Sequence, residues 1–310
     1  MNQGLKYLLI GFLVSLPLWW TINIFQNNLE NVFYANISQP LENMSFVKMP
    51  AKDERSKLDL DVKSALSLKI NKFGRKKVFF RKKIEDILPI ASLTKLMTAL
   101  IVIEDPENYT FSKKVIISEK AANQGNIPIY GNLEKGDILT TENLLSLMLV
   151  YSSNDAAWAL SEVIGNNSFV EKMNQKAQEL ELNNTYFINP TGLEPEDLNY
   201  NSIIINHVNH STAQDLLSLA QYVLENYPLI FSISLEQGPY AIQNGLSSLS
   251  LPNNVKVLGR KTGYTDEAGG CILLVLIDQK ESIFIDIILA APSSEQRIVE
   301  LQKLINWQYQ

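Results

Sequence analysis

Pro89-Ile90-Ala91-Ser92-Leu93-Thr94-Lys95 places a serine at the start of an apolar run and a lysine three residues later. The periodicity from 92 to 104 predicts a helix, and on a helix positions i and i+3 share a face. The Lys95 amine therefore reaches the Ser92 hydroxyl. A serine hydroxyl is a weak nucleophile until a neighbouring base takes its proton. A lysine can be that base only when neutral, which requires burial or a nearby positive charge. The start of the helix also offers a backbone N–H to a developing oxyanion. The S-x-x-K spacing alone is common by chance, so its meaning depends on what surrounds it.

Working outward, residues 65–70 alternate as a strand, Gly74 marks a turn, and 77–80 return as a second strand, a hairpin signal. Downstream, 141–150 and 156–164 read as helices, the first capped by Thr141. Residues 211–224 form another, with Ser211 or Thr212 as cap and Asp215 in the first turn. Three strand-like runs follow at 255–264, 271–277 and 282–290; Pro292 stops the last, and Ile298, Leu301, Leu304 and Ile305 mark one face of a closing helix. Strands at both ends around a helical middle predict an α+β domain whose single antiparallel sheet is completed by the two ends of the chain.

Two further clusters carry chemistry. Tyr151-Ser152-Ser153-Asn154 lies between two predicted helices and supplies a hydroxyl and an amide; a plain helix cap would use the same residue types. Arg260-Lys261-Thr262-Gly263-Tyr264 lies on a predicted strand. There Lys261 brings a cation, Thr262 a hydroxyl, and Gly263 lets another backbone approach closely, a combination suited to a carboxylate. Ser152 follows Ser92 by 60 positions and Lys261 follows Ser152 by 109. The ordered set S-x-x-K, S-x-N and K-T-G is far more specific than any one member.

Composition bounds the rest. The 310 residues are 46% hydrophobic and 19% charged, enough for a packed core. A net charge of -6 argues against nucleic acid as the main partner. Cys271 is the only cysteine, which excludes an intramolecular disulfide and any zinc site built on several cysteines; in its apolar run it reads as a small core residue. His207 and His210 lack carboxylates to complete a metal site and read as structural. Residues 7–25 carry no charge and follow Lys6. As a helix they would span roughly 30 Å, the thickness of a bilayer core. Trp19 and Trp20 suit the outer interface, and no A-x-A cleavage site follows, so an uncleaved anchor with the body outside is expected. The expected organisation is anchor 1–28, linker 29–57 and catalytic domain 58–310.

The match extends past the motifs. Pro89 to Leu100, Ser152-Ser153-Asn154-Asp155-Ala156-Ala157, Asn189-Pro190-Thr191-Gly192-Leu193 and Lys261-Thr262-Gly263-Tyr264-Thr265 resemble the corresponding segments of the low-molecular-mass penicillin-binding proteins, the serine-type D-alanyl-D-alanine carboxypeptidases. The resemblance implies the serine β-lactamase/DD-transpeptidase-like fold, an antiparallel five-stranded sheet flanked by helices plus a helical subdomain. It makes Ser92 the acylated nucleophile, Lys95 its base and Ser152 a proton relay. It makes Asn154 a contact to the substrate backbone and Lys261 and Thr262 the site of its terminal carboxylate, with the N–H groups of Ser92 and Tyr264 as the oxyanion hole beside Gly263. It implies no metal or cofactor, a peptidoglycan stem peptide ending in D-Ala-D-Ala as substrate, β-lactams as covalent inhibitors, and the cytoplasmic membrane as partner of the N-terminal helix. Many members carry a C-terminal β-rich domain and an amphipathic anchor. Here 47 residues follow Gly263, so neither is expected, and the N-terminal segment would take over anchoring. An endopeptidase that cuts cross-links would share every motif, and a non-catalytic wall-binding homologue would keep the fold. Glu194-Pro195-Glu196-Asp197-Leu198-Asn199 is superficially similar to the glutamate loop of class A β-lactamases, with Asp197 inserted.

Overall fold

The computed structural model describes residues 58–124, 132–194, 208–235 and 248–310; the expected anchor and linker lie outside them. The hairpin forms as β1 (Ser64–Ile70) and β2 (Lys76–Lys82). A two-residue strand β3 (Leu88–Pro89) leads into helix α1 (Thr94–Glu104). A small hairpin follows, β4 (Lys114–Ile116) and β5 (Ile138–Thr140), then helices α2 (Thr141–Val150), α3 (Asn154–Glu162) and α4 (Asn166–Glu179). Strand β6 (His210–Ser211), helices α5 (Ala213–Asn226) and α6 (Leu229–Ile233), strands β7 (Lys256–Thr265), β8 (Gly269–Ile277) and β9 (Ile283–Ala291), and helix α7 (Ser294–Gln308) complete the order.

The main sheet runs β2-β1-β9-β8-β7 and every neighbouring pair is antiparallel. Strand β1 pairs along its whole length with β9, so the two ends of the domain do close one sheet. Alternation along β9 sends Phe284 and Ile288 to one face, where they meet Ile298, Leu301, Leu304 and Ile305 of α7. The intervening Ile285, Ile287 and Leu289, all fully buried, face the other side, where α5 packs on β1 and β9. Helix α1 is buried from Thr94 through Val102. A helix enclosed on all sides is a rigid mount for whatever precedes it.

Three local expectations change. The predicted helix from Ser92 begins as a 3-10 turn, Ala91–Leu93, and becomes α-helical at Thr94. Thr140, one residue before Thr141, caps α2 by accepting from the Asn143 N–H. Helix α4 was not expected: its buried stripe is only Phe169, Met173 and Ala177, spaced at i, i+4 and i+8 on an otherwise polar segment. Cys271 is buried as expected, and burial pushes its thiol up to about 11.

One group on the sheet is costly. Asp286 is fully buried on β9, bonded by the amide of Gln308, which also donates to Ser67 at 2.8 Å. Its second oxygen has no partner among the described residues. Burial raises its pKa from 3.8 to about 7, with the Ser67 and Gln308 hydrogen bonds opposing. The unfolded chain therefore loses this proton near pH 4 while the folded chain keeps it. Stability falls as pH rises through that window, by as much as ~4 kcal/mol once the pH passes the folded value. Asp286→Asn is accordingly expected to raise Tm, strongly at pH 8 and little at pH 4; equal effects at both would show that the carboxyl is not held protonated.

Candidate active site

The 3-10 turn places Ser92 one residue after Ala91, a non-glycine residue at φ 45°. Lys95 is fully buried in the first turn of α1. Its Nζ lies 2.8 Å from Ser92 Oγ, 2.7 Å from Asn154 Oδ1 and 2.6 Å from the Thr191 carbonyl oxygen. The last two atoms can only accept hydrogen bonds. A neutral amine has two N–H donors and one lone pair. If the donors serve Asn154 and Thr191, the lone pair remains for the Ser92 hydroxyl. Burial, reinforced by the charge of Lys261, holds the Lys95 pKa well below its ordinary value.

The second cluster divides its work. Ser153 caps α3 by accepting from the Ala156 N–H at 3.1 Å, so the cap consumes neither Ser152 nor Asn154. Ser152 sits at φ 62°, a left-handed conformation held at a small cost. Its Oγ accepts from Lys261 Nζ at 2.8 Å, which leaves its own proton to donate elsewhere. Lys261 is buried on the edge strand β7. Burial lowers its pKa to about 7, with the charges of Arg297 and Arg260 contributing. Thr262 beside it is also buried, whereas Tyr264 is half-exposed.

Two glycines allow the strand and a loop to close on the serine. A Cβ at Gly263 would lie 2.9 Å from the Ser92 amide nitrogen. With no side chain in the way, the Gly263–Tyr264 peptide draws up to the start of the turn. Arg297 of α7, buried, donates to the Gly263 carbonyl oxygen at 2.7 Å. In a trans peptide the following N–H points the opposite way, so this bond fixes the direction of the Tyr264 N–H. Gly192 at φ 86° approaches still closer: a Cβ there would sit 2.0 Å from the Ala91 oxygen.

The structure thus brings Ser92, Lys95, Ser152, Asn154, Lys261 and Gly263 together. Residues that sequence reasoning left without a role hold them in place. Asn189 accepts from the N–H of Thr191 and of Gly192, at 3.1 and 2.8 Å, folding the loop that delivers the Thr191 carbonyl to Lys95. Asn209 ties that loop to α1 through Thr94 Oγ1 at 2.9 Å. Only the Asn189–Leu193 motif hinted at the loop; nothing local marks Arg297 or Asn209. His210 is buried, with Nδ1 3.0 Å from the Val208 oxygen and its ring stacked on Tyr186. His207 lies outside the described residues, as do 195–199 of the β-lactamase-like stretch. Glu194 is described, and its carboxylate accepts from Thr265 Oγ1 at 2.6 Å.

A family model described as D-alanyl-D-alanine carboxypeptidase matches residues 52–293. The chain is similar to the D-alanyl-D-alanine carboxypeptidase DacF of Bacillus subtilis (strain 168), 32% identical over 244 residues, which are 75% of this chain and 59% of that relative. It is also similar to a D-alanyl-D-alanine endopeptidase of Escherichia coli (strain K12), 27% identical over 282 residues, 87% of this chain and 84% of the relative. Among solved structures, penicillin binding protein 6B from Escherichia coli superposes with a TM-score of 0.68 at 26% identity, over 85% of this chain and 81% of that one. The chain spans 59% of the length of the Bacillus relative.

Proposed function

Since the chain belongs to the D-alanyl-D-alanine carboxypeptidase family, we propose that it removes the terminal D-alanine from peptidoglycan stem pentapeptides through an ester on Ser92. The observation that carries the reading is the buried Lys95 amine, 2.8 Å from Ser92 Oγ, with both its other contacts made to acceptors. Ser92 Oγ attacks the carbonyl of the penultimate D-alanine while its proton passes to Lys95 Nζ. The N–H groups of Ser92 and Tyr264 hold the resulting oxyanion. The C–N bond then breaks, Ser152 hands its proton to the departing amine and is reprotonated by the proton that Lys95 took up, and D-alanine leaves. Water attacks the ester and restores Ser92. Lys261 and Thr262 bind the terminal carboxylate, and Asn154 keeps its Nδ2 for a substrate carbonyl. A β-lactam presents a strained amide to the same serine, and its ring opening leaves an acyl-enzyme.

The two lysines set a pH dependence. The base must be neutral and the carboxylate partner charged. Lys95 is held well below its ordinary value by burial and by the charge of Lys261. Lys261 is itself lowered, by burial, to about 7 in the empty site. Expected is a bell-shaped kcat/KM whose acid limb belongs to Lys95 and whose alkaline limb belongs to Lys261. Lys261→Arg, which stays charged, is expected to flatten the alkaline limb; an unchanged alkaline limb would remove Lys261 from that role.

A second reading has an observation in its favour. The relative of which this chain covers the larger share, 84%, is an endopeptidase. The two activities separate in one assay, in which the folded protein receives a monomeric pentapeptide ending in D-Ala-D-Ala and a cross-linked dimer. About one D-alanine released per pentapeptide supports the carboxypeptidase. Cleavage of the dimer alone replaces it with the endopeptidase. Activity on neither sinks both.

We place the catalytic domain, 58–310, outside the cytoplasmic membrane, joined through 29–57 to an anchor in 1–28. The support is the uncharged stretch 7–25 behind Lys6. No helix among the described residues is long and apolar enough to cross a membrane.

A further inference from the structure

The turn between β1 and β2 is the most basic part of an acidic molecule. From 63 to 83 the chain carries nine Lys and Arg and no Asp or Glu, against a net charge of -6 overall. Some of these cations are engaged: Lys69 with Asp278 at 3.6 Å, Lys76 with Glu225 at 3.8 Å. Lys72, Arg75 and Lys77, all exposed at the tip, have no carboxylate within 4.0 Å among the described residues. At the apex Phe73 is 77% exposed, the largest exposure of any large hydrophobic side chain described, and the Lys72 amine lies 5.2 Å from its ring centre.

The tip is built to hold this shape. Asn71 Oδ1 accepts from the N–H of Phe73 and of Arg75, at 2.9 and 3.0 Å, and the Gly74 N–H closes on the Asn71 oxygen at 2.8 Å. Gly74 takes φ 76°, which a side chain would resist. The turn thus presents an apolar ring ringed by cations on a fixed scaffold.

We propose that this hairpin tip docks on an anionic phospholipid surface, with Phe73 entering the headgroup boundary and Lys72, Arg75 and Lys77 reaching the phosphates. Cations alone would serve a soluble polyanion equally well. The exposed aromatic at the apex favours the bilayer, because only a bilayer offers an apolar layer directly beneath the charge. Placement in the sheet gives the docking a consequence. Ile70 pairs with Ile283, Ile283 with Ile277, and Ile277 with Lys256, so the hairpin end of the sheet is the Lys256 end of β7. The site lies further along β7, at Lys261 to Gly263, and β7 is the opposite edge from β2. Four strand spacings across and five to seven residues along put the site about 30 Å from the tip, at the diagonal corner. A chain docked by this hairpin holds its catalytic serine away from the lipid, on the side where polymer would lie.

The test uses the full chain with Phe73→Cys, carrying an environment-sensitive fluorophore. Cys271 is fully buried, so the label reports position 73. Reconstituted in vesicles with about 30% phosphatidylglycerol, the label is expected to shift to the blue and to be quenched by lipids bearing a quencher near the headgroup. In pure phosphatidylcholine, or at about 0.5 M salt, both effects are expected to vanish. Adding Lys72→Ser, Arg75→Ser and Lys77→Ser is expected to lower the inserted-to-free ratio on the order of a hundredfold. Identical spectra in the two vesicle types, or insertion indifferent to the triple change, would overturn the proposal. A shift with soluble poly(glycerol phosphate) and none with anionic vesicles would replace the bilayer by a wall polyanion.

Discussion

Ser92→Ala, Lys95→Met and the double variant are expected to lower kcat/KM for D-alanine release by about the same factor, on the order of 10⁶. The equality is the point. Lys95 is fully buried and the hydroxyl its amine reaches is that of Ser92, so each residue is idle without the other. Groups that act as one unit lose their effect together, and the second deletion costs nothing more. Lys95→Arg is expected to give no rescue, because a guanidinium keeps its proton. Independent, additive losses would mean that another base serves Ser92. These variants are to be read by activity with folding checked separately, since Lys95→Met also frees two acceptors, Asn154 Oδ1 and the Thr191 oxygen, inside the site.

Gly192→Ala carries the largest expected cost in stability. A methyl there would sit 2.0 Å from the Ala91 oxygen and 2.4 Å from its carbonyl carbon, both backbone atoms, and the residue holds φ 86°. No rotamer relieves a backbone clash, so the 189–193 loop or the 3-10 turn must move. Clash and left-handed strain together should cost ~3 kcal/mol or more, a fall in Tm of roughly 6–12 °C for a domain of this size. Moving the loop also withdraws the Thr191 carbonyl from Lys95, so surviving folded enzyme should be slow. A variant of near-normal Tm and rate would show that the loop does not seat on Ala91 as described. Gly74→Ala makes a control: its φ is 76° but nothing lies within 4 Å, so only the conformational cost remains.

Much of this was legible along the chain because the signals are local. Alternation at 65–70 and strand-like runs at 77–80, 255–264, 271–277 and 282–290 marked the five strands of the main sheet, and the i, i+3 spacing of Ser92 and Lys95 needed only one turn of helix. The 2.8 Å contact between them arises within three residues. What escaped is held by distant partners. Arg297 reaches Gly263 across 34 positions, and Asn209 reaches Thr94 across 115. Neither residue stands in a pattern that announces such a bond. Helix α4 escaped for a different reason: three buried side chains on a polar segment give too narrow a stripe to set a period. The Ser152-Ser153-Asn154 cluster was ambiguous between cap and site because both readings hold at once, with Ser153 the cap and its neighbours turned to Lys261 and Lys95.

The mechanism stands on acylation of Ser92 with buried Lys95 as its base. Intact-protein mass measurement after exposure to benzylpenicillin, followed by peptide mapping, tests it most directly. Expected is one added penicilloyl mass on the peptide containing Ser92, none in Ser92→Ala, and an adduct that forms more slowly as pH falls and Lys95 takes up its proton. An adduct on any other residue, or none on a folded protein, would contradict it.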